Sequence, residues 1–180
     1  MLRKSIILLV PVMLASTPAQ ASDKGWQRAS DVGVYSLMAL SVGIPLIKGD
    51  EPGALQAAGS LAATSLITEG MKEAFPRLRP DGSDRKSFPS GHTSRSFAAA
   101  ATIYNRQGKT LGIPAFVVAG FVGVARVEGN KHFWSDVAVG AALGTLTGLL
   151  ITNERPNERT ATVIPWADTT GGSISLAMRF

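Results

Sequence analysis

The stretch Val137-Ala-Val-Gly140-Ala-Ala-Leu-Gly144-Thr-Leu-Thr-Gly148-Leu-Leu-Ile151 decides the architecture. It is longer than ten residues, rich in small side chains and poor in β-branched runs, so it reads as a helix rather than a strand. Gly140, Gly144 and Gly148 recur every fourth residue, which puts them on one helical face and lets a neighbouring helix approach closely. A tight core and a membrane span both use such a face, and the pattern alone does not choose between them.

Working outward, three more stretches have the same character: Val32 to Ile47, Ala54 to Met71 and Ile113 to Val127, with a shorter one from Ser90 to Tyr104. Gly, Pro, Asn and Asp clusters punctuate them at Lys48 to Gly53, Arg79 to Asp84, Asn105 to Lys109 and Gly129 to Lys131. The expected fold is an all-α bundle of about five helices. The chain has 180 residues and is 45% hydrophobic, enough for one domain with a core and too short for two ordinary ones.

The ends read differently. Met1 to Lys4 is basic, Ser5 to Leu14 is apolar, and Ala19-Gln-Ala21 is a small-x-small site, the three-part pattern of a secretory signal peptide over residues 1–21. Its apolar run falls short of the ~20 residues that a span needs, so export is expected rather than an uncleaved anchor. Residues 22–155 then form the helical domain. In the tail, 156–180, Ile174, Leu176, Met178 and Phe180 alternate with Ser175, Ala177 and Arg179, a strand signal. A small C-terminal hairpin is expected there, pairing Thr160 to Trp166 with Ser173 to Phe180. A lone terminal strand of this kind cannot close an outer-membrane barrel.

The composition narrows the chemistry. There is no Cys, which excludes disulfides, thiol nucleophiles and Cys-ligated metal sites. Only two histidines occur, His92 and His132. The net charge of +5 suggests an anionic partner; an exported chain rarely meets nucleic acid, so phosphate groups are the expected target.

Polar residues gather in three clusters: Lys72 to Pro80, Phe88 to Thr93, and Arg126 to Asp136. In an up-down bundle the end of helix two, the start of three, the end of four and the start of five share one rim, so Lys72, Arg79, Ser90, Gly91, His92, Arg126, His132 and Asp136 converge. Lys72, Arg79 and Arg126 can neutralise a phosphate dianion, the two guanidinium groups with bidentate hydrogen bonds. Ser90-Gly91-His92 opens a helix and offers amide N–H groups and the positive end of the helix dipole. His132 and Asp136, four apart on one face, suit a carboxylate-held imidazole free to attack phosphorus, and His92 can protonate the leaving alcohol. This scheme calls for no metal and no cofactor, and predicts indifference to chelators.

Lys-x6-Arg-Pro, Pro-Ser-Gly-His and Arg-x5-His-x3-Asp together resemble the type 2 phosphatidic acid phosphatase (PAP2) superfamily, which includes class A acid phosphatases and vanadium haloperoxidases. The motifs span Lys72 to Asp136 and, with their helices, cover most of the chain beyond the leader. The resemblance implies phosphate binding by Lys72, Arg79 and Arg126, an oxyanion cradle completed by Ser90 and Gly91, His92 as general acid, His132 as nucleophile and Asp136 as its orienting partner. It also implies hydrolysis of phosphate monoesters or pyrophosphates through a phosphohistidine. The family usually has Ser before the third-motif Arg, where this chain has Ala125.

The substrate divides the remaining readings. In a membrane the catalytic rim faces the periplasm, while Lys48, Arg106, Lys109, Arg155 and Arg159 fall on the cytoplasmic side, as the positive-inside rule asks. Against this, the third segment carries Arg95 and only about ten uninterrupted apolar residues. A membrane-associated lipid phosphatase of the bacterial envelope and a soluble periplasmic phosphomonoesterase are thus two versions of one activity, with the reading leaning to the membrane. A vanadate-dependent haloperoxidase and a non-catalytic phosphate-binding protein are the other two classes. Arg77, Arg85, Lys86 and Arg95 are read as solvated or substrate-rim charges.

Overall fold

The computed structural model describes residues 22–154 together with the backbone of 161–168 and 171–178; the expected signal peptide, 1–21, lies outside the described residues. Among the described residues five helices form the fold: α1 Asp23–Ile47, α2 Glu51–Ala74, α3 Gly91–Gln107, α4 Lys109–Glu128 and α5 Trp134–Ile151. After them β1 (Ala161–Asp168) and β2 (Gly171–Met178) pair antiparallel, Ala161 opposite Met178. The all-α class rests on the five helices.

Each helix is longer than its apolar stretch. The first begins nine residues before Val32, at Asp23, because Ser22 caps it: its hydroxyl accepts from the Gly25 amide at 3.2 Å, and Asp23 in the first turn complements the dipole. Asp50 caps α2 in the same way, accepting from the Gly53 amide at 3.1 Å with Pro52 in the first turn. A single left-handed glycine, Gly108 at φ 82°, ends α3 and starts α4. Caps and polar first turns carry no hydrophobic period, so the apolar pattern misses the starts of α1, α2, α4 and α5 while it places the ends of α1 and α5 correctly.

The glycine face of α5 meets α3 backbone to backbone. A Cβ on Gly140 would stand 2.7 Å from the Ser90 carbonyl oxygen, and one on Gly148 would stand 2.8 Å from that of Ala98. On α3 the matching residues are small too: Ala98, Ala99, Ala100 and Ala101 are fully buried. This close crossing draws the N-termini of α3 and α5 together, where the second and third motifs lie. Hydroxyls tie in α2, with Thr68 Oγ1 2.9 Å from Ser94 Oγ and Thr64 Oγ1 2.5 Å from Thr147 Oγ1. Both pairs are internally satisfied, so burying them costs little.

Large apolar side chains point outward instead. Ile47 is 88% exposed, Leu66 75%, Val117 68% and Leu150 80%. Among the described residues three helices, α1, α4 and α5, are long and apolar enough to cross a membrane. So much outward apolar surface in a chain of this size marks a surface that meets something other than water.

Candidate active site

The rim expected from helix parity is formed. The ends of α2 and α4 and the starts of α3 and α5 surround a cavity of about 190 Å³, lined by Lys72, Arg79, Gly91, His92, Arg126 and His132 among others. Six of the eight expected site residues therefore meet at one cavity. Ser90 and Asp136 lie behind its wall, fully buried.

His132 follows α4 on the short segment Gly129 to Phe133 and is 2% exposed. Its Nδ1 lies 2.7 Å from the backbone carbonyl of Ser87. A carbonyl only accepts, so Nδ1 is the protonated nitrogen and Nε2 keeps its lone pair. Nε2 turns to the cavity, 3.3 Å from Arg79 Nη1. Burial, reinforced by Arg79, Arg126 and Lys72, holds the imidazole below the usual histidine range against the raising effect of Asp136. The neutral ring is thereby favoured, and its unprotonated nitrogen faces the cavity beside Arg79.

The expected direct grip of Asp136 on this ring is a contact at ion-pair distance, joined by a relay. Asp136 Oδ2 is 3.7 Å from His132 Nδ1, beyond hydrogen-bond distance. The carboxylate instead accepts from Ser87 Oγ at 2.5 Å, from Arg77 at 2.8 Å and from the Phe133 amide at 3.0 Å, the last capping α5. Asp136 thus holds Ser87, and Ser87 holds His132. Arg77 also stacks over the Phe133 ring, 4.1 Å from its centroid, which makes it part of this support rather than a solvated charge.

At the start of α3, Ser90 is fully buried and ties α3 to α5. Its amide donates to the Asp136 carbonyl at 3.0 Å, and its hydroxyl accepts from Thr93 Oγ1 at 2.9 Å. The expected cradle therefore draws on Gly91 and the amides after it: the helical ladder closes first at Ser94, onto Ser90 O at 3.0 Å. His92 Nε2 lies 2.8 Å from Asp31 Oδ1 on α1. Neither Asp31 nor Ser87 was singled out from sequence; a carbonyl acceptor leaves no residue-type signal, and Asp31 stands in the polar turn before an apolar run.

The three expected cations differ in how they are held. Lys72 donates to the carbonyls of Lys86 and Pro89 at 2.9 and 2.8 Å. Arg79 pairs with Asp84 at 2.7 Å. Arg126 donates one bond, to Ser30 Oγ at 3.3 Å, and its buried Nε has no partner among the described residues. Beside them, Lys131 donates to Asp81 at 2.6 Å and holds its carboxyl far below the usual carboxylate range. Among the described residues no group of three or more His, Cys, Asp or Glu side chains is placed to hold a metal ion. An unpartnered buried guanidinium nitrogen at a neutral, oriented imidazole fits a tetrahedral oxyanion.

Residues 82–159 match the model of the PAP2 superfamily, a range that includes His92, Arg126, His132 and Asp136. Over 82 residues, 44% of this chain and 18% of the other, the sequence is 43% identical to a lipid A 1-phosphatase of Porphyromonas gingivalis. It is 40% identical to lipid phosphate phosphatase 1 of Arabidopsis thaliana over 46% of this chain and 38% of that one. The chain thus spans well under half the length of these curated relatives. In fold it resembles the crystal structure of Aquifex aeolicus LpxE, with a TM-score of 0.62 at 21% identity over 72% of this chain and 84% of the other. A transmembrane PAP2-type phosphatidylglycerolphosphate phosphatase of Bacillus subtilis gives a TM-score of 0.58 at 24% identity over 72% and 74%.

Proposed function

We propose that this chain, whose residues 82–159 match the PAP2 superfamily model, hydrolyses phosphate esters of lipids, through a phosphohistidine on His132, at the periplasmic face of a bacterial envelope membrane. The observation that carries this reading is His132 itself, with Nδ1 fixed on the Ser87 carbonyl and Nε2 open to a cavity lined by Lys72, Arg79 and Arg126.

The terminal phosphoryl oxygens sit among Arg79, Arg126 and the amides of Gly91 and His92, which concentrate positive potential where charge builds in transfer. Nε2 attacks phosphorus and the bond to the ester oxygen breaks. Burial and Arg126 push the His92 pKa down to about 4 against the raising effect of Asp31; the ring, when protonated, gives the departing alkoxide a proton, with Asp31 holding the imidazolium. Water then cleaves the N–P bond and releases phosphate. Asp136, acting through Ser87, keeps the Nδ1 proton in place as the ring gains charge. Relatives named as lipid A and lipid phosphate phosphatases and the outward apolar faces of α1, α4 and α5 support a lipid substrate and a membrane setting over a soluble phosphomonoesterase.

The test is phosphate release by the purified protein, in detergent, from an aryl phosphate, phosphatidic acid, undecaprenyl pyrophosphate and lipid A, with His132→Ala alongside. A lipid should be preferred and His132→Ala should be silent. Acid-labile, base-stable ³²P on the wild-type chain after rapid quench would report the intermediate. Near-normal turnover by His132→Ala would overturn the mechanism, and silence on all four substrates would overturn the activity.

A further inference from the structure

We propose that Arg95, opposed by Glu69, is a specificity residue that binds a second phosphoryl group beside the scissile one, so that the preferred substrates are lipid diphosphates rather than monophosphates. This rests on the phosphatase reading above and names its substrate class.

The cavity holds more positive charge than one phosphate calls for. Besides Lys72, Arg79 and Arg126, both Lys86 and Arg95 line it, and the single carboxylate in its wall is Glu69. Lys86 is neutralised from outside by Glu73 at 2.7 Å. Arg95 is not held in this way. Its Nη2 stands 3.5 Å from Glu69 Oε1, at the limit of a hydrogen bond, and its buried Nε has no partner among the described residues. A guanidinium so loosely engaged, with only 25% of its side chain exposed, has been taken from water without full replacement.

Its position is beside the scissile phosphoryl group. Arg95 lies one turn beyond Gly91 on α3, its Nη2 3.3 Å from where a Cβ on Gly91 would be. It therefore borders the same turn of backbone that receives the scissile phosphoryl group. Arg95 and Glu69 close the cavity on the α2 side, while His132 enters from the segment before α5. His132 and Arg95 line the same cavity, so a second phosphoryl group joined to the one under attack falls within reach of the guanidinium. With a diphosphate, the N–P bond forms as the terminal phosphorus loses its bridging oxygen. The electron pair leaves on the lipid monophosphate, whose added charge Arg95 meets with a forked pair of N–H donors. Water then cleaves the N–P bond, giving inorganic phosphate and the free imidazole. A monophosphate leaves Arg95 without that partner.

Farnesyl diphosphate and farnesyl monophosphate, which share one chain, separate these terms in detergent micelles. The wild-type protein should have a higher kcat/KM on the diphosphate. Arg95→Ala should reduce the ratio of the two kcat/KM values tenfold or more, with Arg95→Lys between. Glu69→Gln, which frees the guanidinium, should move the ratio the other way, by about two- to fivefold, so a merely damaged fold cannot imitate the pair of results. A wild-type preference for the monophosphate, or a ratio that Arg95→Ala leaves unmoved, would overturn the assignment while leaving the phosphatase intact. Release from neither lipid would remove the phosphatase reading and the assignment together.

Discussion

Arg106 on the last turn of α3 and Arg126 on the last turn of α4 stand at opposite ends of the bundle and are buried alike, 6% and 7% exposed. Their surroundings are opposite in kind. Arg106 forms a forked pair with the buried carboxylate of Asp50, Nε to Oδ2 at 2.9 Å and Nη2 to Oδ1, and gives its remaining reach to the Asn153 carbonyl at 3.0 Å. That saturated cation ties the start of α2, the end of α3 and the segment after α5 into one rim. Among the described residues Arg126 has one long bond, to Ser30, and an unpartnered Nε. A cation whose valence is filled from within the chain is a fastener. One left underfilled at equal burial costs folding free energy that an incoming anion returns.

The widest separation expected concerns what each end does when disabled. His132→Ala, at the underfilled end, should lower kcat by on the order of 10⁴-fold or more while the melting temperature in detergent stays near that of the wild type. Activity on an aryl phosphate together with a thermal scan checks both halves. A parallel loss of stability would mean that the ring is a packing element.

The arginines themselves sharpen the contrast. Arg106→Met deprives a buried carboxylate of its guanidinium and should destabilise the fold by about 3–5 kcal/mol, with the specific activity of the surviving folded fraction retained. Arg126→Met should do the reverse, lowering kcat/KM by roughly 10²–10³-fold, the usual cost of a lost transition-state donor, at no cost in thermal stability. Denaturation midpoints and kcat/KM measured on the same preparations decide it. Equal destabilisation by both variants would erase the distinction between fastener and ligand site.

How much of this contrast was legible in the sequence depends on what kind of signal each part leaves. The glycine face at Gly140, Gly144 and Gly148 and the three spaced motifs announced the bundle and the meeting of six residues, because helix parity turns spacing into proximity. Asp31, Ser87 and Arg77 were missed for different reasons. Ser87 acts on His132 through a backbone carbonyl, which every residue possesses. Asp31 reaches His92 from α1, 61 residues away, across a crossing angle that no periodicity encodes. Arg77 was visible as a charge, but its bond to Asp136 required α5 to present that carboxylate toward the loop after α2. The contact of Asp136 with the ring is looser than expected, at an ion-pair distance of 3.7 Å, for a related reason: the four-residue spacing that places side chains on one face holds within a helix, and His132 precedes the start of α5.

Titration provides a finer comparison between the two ends. Only the catalytic end contains histidine among the described residues, and its nucleophile must be unprotonated to attack. Burial first, then Arg79, Arg126 and Lys72, depress the pKa of His132. The neutral form is therefore kept as pH falls through the ordinary histidine range, and the acid limb of kcat/KM should lie below 6.5, the unperturbed value. Removing one depressing charge with Arg79→Gln should shift that limb to higher pH, besides lowering the rate. Arg106→Met, at the far end, should leave its position alone. A limb that does not move with Arg79 would assign it to a group other than His132.

The smallest effect expected lies inside the support of His132, where Ser87 contributes twice. Its carbonyl accepts from Nδ1 at 2.7 Å, and its hydroxyl donates to Asp136 at 2.5 Å. Ser87→Ala removes the second contribution and keeps the first. The imidazole then retains its acceptor and its tautomer, while Asp136 retains Arg77 and the Phe133 amide. Losing one buried hydroxyl bond of this kind costs about 1 kcal/mol, or some fivefold if it appears wholly in kcat. Asp136→Asn disturbs three bonds at once and should cost more. If the carboxylate acts on His132 through the hydroxyl, adding Ser87→Ala to Asp136→Asn should cost less than it does in the wild-type chain, because the link is already weakened. Full additivity in kcat would mean that Asp136 steadies α5 alone and that the carbonyl holds the ring without its help.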